Sequence, residues 1–394
     1  MIYHLFQALK DLSFPGHGLM NYLSVRAMLA FIVSLSVSLI AGKKIIALLQ
    51  RKQIGETIRD LGLEGQMAKK GTPTMGGVII ILSILTAVLL VCDLTNIYTQ
   101  LLLLTTLWCG GIGFADDYIK VFKHRKEGMS EKCKLVLQML LGLSIAWIVC
   151  LSPEIHTESL VTTIPFVKAH EFDYSCLSPF KGQMGVYCTW GIYMILIILV
   201  IMACSNGANL TDGMDGLSAG TSAIVGVVLG VLAWLGGNVI NASYLNIMYI
   251  PGTGEIAIFM SAFVGALLGF LWYNSYPAQV FMGDTGSLTI GGIVGVSAIL
   301  IRKELLLPLL CGIFLVESLS VLLQRTYFKY TRKKYGEGRR IWKMTPLHHH
   351  YQKEGIPALV KKPEKALPEA KIVSRFYLVG MLLAVATLAV FKIR

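Results

Sequence analysis

Ten long apolar runs dominate this chain of 394 residues, near 24–49, 75–92, 98–115, 134–151, 188–204, 217–235, 255–272, 286–302, 305–325 and 376–392. A helix needs about 17–25 such residues to cross a hydrocarbon core. The runs are continuous rather than alternating, which selects helices over a β-barrel, the other backbone arrangement that lipid tolerates. Length alone would suggest two or three soluble domains. Only 15% of the residues are charged, however, and 55% are hydrophobic, against about 25% charged in a soluble domain. The expected fold is all-α: a polytopic integral membrane protein of about ten transmembrane helices, forming a single transmembrane domain over residues 1–394.

The first 20 residues hold Asp11, Pro15 and His17 and lack the apolar core of a cleavable signal peptide. The first helix is therefore expected to be the first topogenic signal. The eight cysteines form no C-x-x-C pair, and most sit in apolar runs where packing explains them. Cys176 and Cys188 share one loop region, where a disulfide could form.

Charge sets the sidedness. A net charge of +12 could point to nucleic acid, but 27 of the 35 basic residues fall in three loops, within 43–70, 120–134 and 325–375. These follow the first, third and ninth runs, so all three lie on one side, which the positive-inside rule makes cytoplasmic. Both termini then face the periplasm. Attraction to anionic lipid accounts for most of these charges, and no nucleic-acid partner is expected.

The unusual polar residues gather on that same cytoplasmic side. The third run ends in two adjacent carboxylates, Asp116 and Asp117, in "GFADDYIK". "SNGANLTDGMDGLSAG" (205–220) spaces Asn206, Asn209, Asp212 and Asp215 three apart, which puts them on one helical face. Asn and Asp also cap helices, and glycines suit turns. "WYNSYPAQVFMGDTGSL" (272–288) supplies Asn274, Phe281 and Asp284. Asp284 is an N-cap or a ligand, and Phe281 a loop anchor or a platform for a planar ring. "GTPTMGG" (71–77), preceded by Lys69 and Lys70, is glycine-rich without being a Walker A loop. "KMTPLHHHYQKEG" (343–355) holds His348, His349 and His350, which cannot all face one point on a helix. These imidazoles either donate to phosphate oxygens or cap and pack their loop.

A cluster of carboxylates at a membrane surface needs protons, basic partners or a divalent cation. Mg²⁺ prefers carboxylate and phosphate oxygens. Carboxylates, lysines, histidines and glycines at headgroup level together suggest metal-assisted phosphoryl chemistry on a lipid.

Five motifs, "KKGTPTMGG", "GFADDYIK", "NGANLTDGMDGL", "NSYPAQVFMGDTGS" and "MTPLHHHY", resemble those of the bacterial phospho-N-acetylmuramoyl-pentapeptide transferases, in order and over essentially the whole chain. The resemblance implies an enzyme of the bacterial inner membrane. It would transfer phospho-MurNAc-pentapeptide from UDP-MurNAc-pentapeptide to undecaprenyl phosphate, giving lipid I and UMP, with Mg²⁺ as cofactor. By resemblance, Asp116, Asp117, Asp284 and His348 are catalytic, and Asp284 binds the metal. One of the paired aspartates would deprotonate or position the lipid phosphate. Lys69, Asn206, Asn209, Asp212, Asp215, Asn274, Phe281, Gln324, His349 and His350 match substrate-binding positions, Phe281 near the uracil. A homodimer is a further partner that the resemblance allows. Two departures stand out: Gln66 replaces a histidine often found three residues before the lysine, and "KYTRKKYGEGRR" (329–340) is longer and more basic than usual.

Two other readings stay open. A sister enzyme would move GlcNAc-1-phosphate onto a polyprenyl phosphate. A secondary transporter would also carry intramembrane aspartates, but the two halves show no internal repeat and the polar groups avoid mid-bilayer.

Overall fold

The computed structural model describes residues 1–8, 17–52, 71–123, 125, 127–152, 155, 160–164 and 171–392. Each apolar run becomes helix, because in lipid a backbone must satisfy its own amides and carbonyls. The helices are α1 (Ile2–Ala8), α2 (Leu23–Arg51), α3 (Gly77–Val91), α4 (Ile97–Phe122), α5 (Glu131–Leu151), α6 (Gln183–Thr211), α7 (Leu217–Gly236), α8 (Val239–Leu245), α9 (Gly254–Asn274), α10 (Gly283–Leu300), α11 (Leu307–Leu310), α12 (Gly312–Tyr335), α13 (Leu347–Gln352) and α14 (Glu369–Lys392). Among the described residues, eight are long and apolar enough to cross a membrane by length and composition, or nine if one bent pair counts as a single span.

Two expected spans differ. The second is a helix of only 15 residues, α3, because residues 73–77 leave the helix to pair with another loop. The Gly76 amide donates to the Phe281 carbonyl at 2.8 Å, and the Gly77 amide to that of Met282 at 2.9 Å. The ninth is not one straight rod. It breaks at Cys311, and the segments Glu304–Leu310 and Gly312–Tyr335 meet at 76°. Gly312, a poor helix former, opens the second segment. The all-α expectation also gains a small exception: β1 (Val161–Thr163) pairs antiparallel with β2 (Glu171–Asp173), Val161 opposite Asp173. This hairpin docks on the α10–α11 connection, where the Thr163 amide donates to the Arg302 carbonyl and the Tyr174 hydroxyl to Glu304. Cys176 and Cys188 are free thiols, so the disulfide considered above does not form.

Helix α10 is the hub, buried along nearly its whole length and packed against α3, α4, α6 and α7. Small side chains and hydroxyls let the helices approach, and interhelical hydrogen bonds supplement packing where no hydrophobic force operates between spans. Ser34 donates to the Ala262 carbonyl at 2.6 Å, joining α2 to α9. At one end of this pair Arg26 forks onto both oxygens of Glu255, at 2.5 and 2.7 Å, a bidentate geometry that offsets the burial of two charges. The start of α10 carries a second group of polar residues.

Candidate active site

The adjacent aspartates at the end of α4 point to different partners. Asp116 is fully buried. Its Oδ1 accepts from the Met129 amide at 2.6 Å, and its oxygens pair with Lys120 Nζ at 2.6 Å and Lys134 Nζ at 2.9 Å. Asp117 spends both oxygens on the start of α10. It accepts from the Asp284 amide at 3.1 Å, the Thr285 amide at 2.9 Å and the Thr285 hydroxyl at 2.6 Å. A carboxylate on the free amides of a helix N-terminus satisfies orphan donors and complements the helix dipole. The turn that brings them together needs Gly283, whose φ is +72° and whose missing Cβ would lie 2.5 Å from Asp117 Oδ2.

Asp284 then faces the same space from α10. It pairs with Lys134 at 2.6 Å and Lys120 at 3.2 Å, and accepts from the Asn209 amide group at 2.9 Å. Oxygens of Asp116, Asp117 and Asp284 lie within 4.8 Å of one another. Two ammonium groups offset three carboxylates, which leaves one net negative charge. An all-oxygen donor set with residual negative charge fits Mg²⁺, which prefers hard oxygen ligands and keeps several waters.

The other expected site residues divide into groups. Asn209 touches the carboxylates directly and also donates to Ser287. Asn206 is one layer back, donating to Gln138 Oε1 at 2.8 Å. Asp212 caps the end of α6, and Asp215 accepts from the Ala278 amide at 3.0 Å. Asn274 clips two loops, accepting from the Gly216 amide and donating to the Val280 carbonyl. Phe281 is half-buried, with its backbone paired to Pro73 and Gly76. Lys69, Lys70 and Gln66 lie outside the described residues.

Two of the expected substrate-binding residues make their hydrogen bonds with backbone groups. Gln324 is committed to backbone: its Oε1 accepts from the Ile341 and Trp342 amides, and its Nε2 donates to the Trp342 carbonyl. It ties α12 to the histidine segment. His350 is buried between two loops, with Nδ1 accepting from the Lys343 amide at 3.1 Å and Nε2 placed 2.8 Å from the Lys362 carbonyl. These contacts define a neutral ring with its proton on Nε2, and burial lowers its pKa below the usual 6.5. The three histidines diverge as their spacing requires. His349 contacts Gln352 at 2.8 Å, and His348 is wholly buried beside Glu317 and Gly213 rather than among the carboxylates.

Lys120 and Lys134 were absent from the expected set. Lys120 lies one helical turn after Asp116, a legible i,i+4 signal, but both lysines also satisfy the positive-inside rule and so look explained without a site. Nothing local in the sequence marks Glu317, Thr285 or Ser287.

Comparison with known proteins matches the sequence to named families. The glycosyl transferase family 4 model covers residues 99–302, and the phospho-N-acetylmuramoyl-pentapeptide-transferase signature 1 covers 69–81. Proteins named phospho-N-acetylmuramoyl-pentapeptide-transferase align over 100% of both chains: 55% identical from Parabacteroides distasonis, 53% from Azobacteroides pseudotrichonymphae and 50% from Porphyromonas gingivalis.

Proposed function

The chain belongs to the phospho-N-acetylmuramoyl-pentapeptide-transferase family, and from that premise we propose that it makes lipid I in the bacterial cytoplasmic membrane. It transfers phospho-MurNAc-pentapeptide from UDP-MurNAc-pentapeptide to undecaprenyl phosphate and releases UMP. The observation carrying this reading is the meeting of Asp116, Asp117 and Asp284 with two lysines at one end of a transmembrane bundle. A lipid headgroup and a soluble nucleotide can both reach such a place.

Both reactants are anions, so bringing them together is the main barrier. A phosphomonoester has a second pKa of about 6 and is largely ionised near neutrality. General-base help is therefore worth less than positioning. An oxygen of the lipid phosphate attacks the β-phosphorus of the donor. The bond from that phosphorus to the bridging oxygen breaks, and the electron pair leaves with UMP. Asp284, with Asp116 beside it, would hold Mg²⁺, and a bound ion would supply charge neutralisation for the diphosphate and the leaving group. Asn209 and the start of α10 fix the Asp284 carboxylate. Lys120 and Lys134, which balance the carboxylates, supply positive charge next to the place where the substrate phosphates would bind. Asp117 acts as a positioning residue through α10.

The test is UMP release by purified protein given UDP-MurNAc-pentapeptide, undecaprenyl phosphate and Mg²⁺, with each component omitted in turn. Incorporation of GlcNAc-1-phosphate from UDP-GlcNAc alone would replace this reading with the sister activity. Uptake into proteoliposomes without UMP release would favour a transporter.

A further inference from the structure

Outside the carboxylate cluster lies a second buried acid–imidazole pair. His348 and Glu317 are both fully buried. Glu317 Oε1 stands 3.3 Å from His348 Nδ1, and the carboxylate also accepts from the His348 amide, at 3.2 and 3.4 Å to its two oxygens. Glu317 comes from α12, just after the break, whereas His348 sits on α13. One carboxylate thus accepts from the backbone amide and stands beside the ring.

The other ring nitrogen faces the turn after α6. A Cβ on Gly213 would lie 2.2 Å from His348 Nε2 and 2.8 Å from Cε1. Only glycine leaves room for the ring edge at that point. Both ring nitrogens are buried and make no hydrogen bond among the described residues, Nδ1 lying at ion-pair distance from Glu317 and Nε2 facing the turn. Leaving Nε2 unpaired carries a desolvation penalty that an arriving ligand oxygen would relieve. The turn in front of Nε2 begins at Asp212.

We infer that Glu317 is a positioning residue for His348: its carboxylate keeps a proton on Nδ1 and aims Nε2 at the Asp212–Gly213 turn, where an oxygen of the nucleotide-sugar donor meets it. The inference rests on the proposed function and on the catalytic role that the family resemblance implies for His348. A carboxylate behind an imidazole fixes both tautomer and ring orientation, and loss of such a partner typically costs tenfold to a hundredfold. Glu317 serves here through geometry and need not touch substrate. A purely structural role, capping the start of α13, would lower stability without acting through the ring.

A double-mutant cycle with Glu317→Gln and His348→Gln separates these cases. Glu317→Gln alone should lower kcat about tenfold to a hundredfold, with the KM for UDP-MurNAc-pentapeptide changed less than about threefold and melting nearly unchanged. In the His348→Gln background it should cost less than about twofold more. Glu317→Asp should recover part of the loss, and it covers the case in which the Gln variant does not fold. In ¹⁵N-histidine-labelled protein, the Nδ1–H tautomer of His348 should dominate in the wild type and give way to a mixture in Glu317→Gln. Independent, multiplying losses, or unchanged tautomer populations, would overturn the inference. If His348→Gln retains wild-type turnover, the catalytic assignment of His348 fails first and takes this inference with it. If His348→Gln is crippled while Glu317→Gln is not, only the role of Glu317 fails.

Discussion

Asp117→Asn should destabilise the protein as well as inactivate it. The wild-type carboxylate accepts three hydrogen bonds, from the Asp284 amide and from the amide and hydroxyl of Thr285. An asparagine can turn its single oxygen toward Thr285 and retain two of them. Its NH₂ group then faces the Asp284 amide, donor against donor. One charge-assisted bond is lost outright and two become neutral, and hydrogen bonds to charged groups contribute about 1.5–3 kcal/mol each. A loss of about 2–4 kcal/mol follows. At roughly 2–4 °C per kcal/mol, melting should fall by about 4–16 °C in detergent. Turnover should fall because the displaced turn carries Asp284. Thermal melting and UMP release are measured on the same preparation, with Asp117→Glu as a control that keeps the charge. If Asp117→Asn melts within about 1 °C of wild type while turnover collapses, Asp117 is a base or ligand and the anchoring argument is wrong.

Three further outcomes follow from the geometry. Asp284→Asn should abolish Mg²⁺-dependent transfer, by at least about a hundredfold on the scale of lost electrostatic stabilisers, while the protein still folds because Asp116 keeps both lysines; near-normal turnover refutes the metal assignment. Lys303, buried beside Thr163, has its pKa lowered by burial from 10.5 to about 8. The unfolded chain therefore binds the extra proton between those values, and stability should rise from pH 8 to 10.5 by up to about 3 kcal/mol, at about 1.4 kcal/mol per pH unit. Lys303→Met should flatten that part of the melting profile, and an unchanged slope would count against it. His350 is held neutral, so as pH falls from 6.5 toward its lowered pKa the unfolded form takes up the proton first and stability drops. Proteolysis within 353–365 should increase between pH 7.5 and 5.5 and lose that dependence in His350→Asn; equal cleavage at both pH values in the wild type would contradict the tautomer assignment.

The apolar runs, the cytoplasmic charge bias and the carboxylates of Asp116, Asp117 and Asp284 were all legible in the linear chain. Length and hydropathy specify helices in lipid, and charge in a mostly apolar chain is conspicuous. The linear chain was silent where a polar side chain bonds a distant backbone. Gln324, Asn274 and His350 have the chemistry of ligands, yet their hydrogen bonds close loops on α12, α9 and α13. The bend at Cys311 was also hidden, because hydropathy reports the length of an apolar run and not its direction.

Sequence by itself determined that this chain is a bundle of membrane helices with one polar end, since burying so few charges leaves little alternative. Only the tertiary structure decided how the acids there divide their work. Asp116 joins Asp284 around two lysines, Asp117 turns to hold α10, and Glu317 stands behind His348. Neighbouring side chains on a helix point in directions about 100° apart, so two adjacent aspartates can serve different partners. The partners of Asp117 come from a helix more than 150 residues away in the chain, and local spacing carries no record of them.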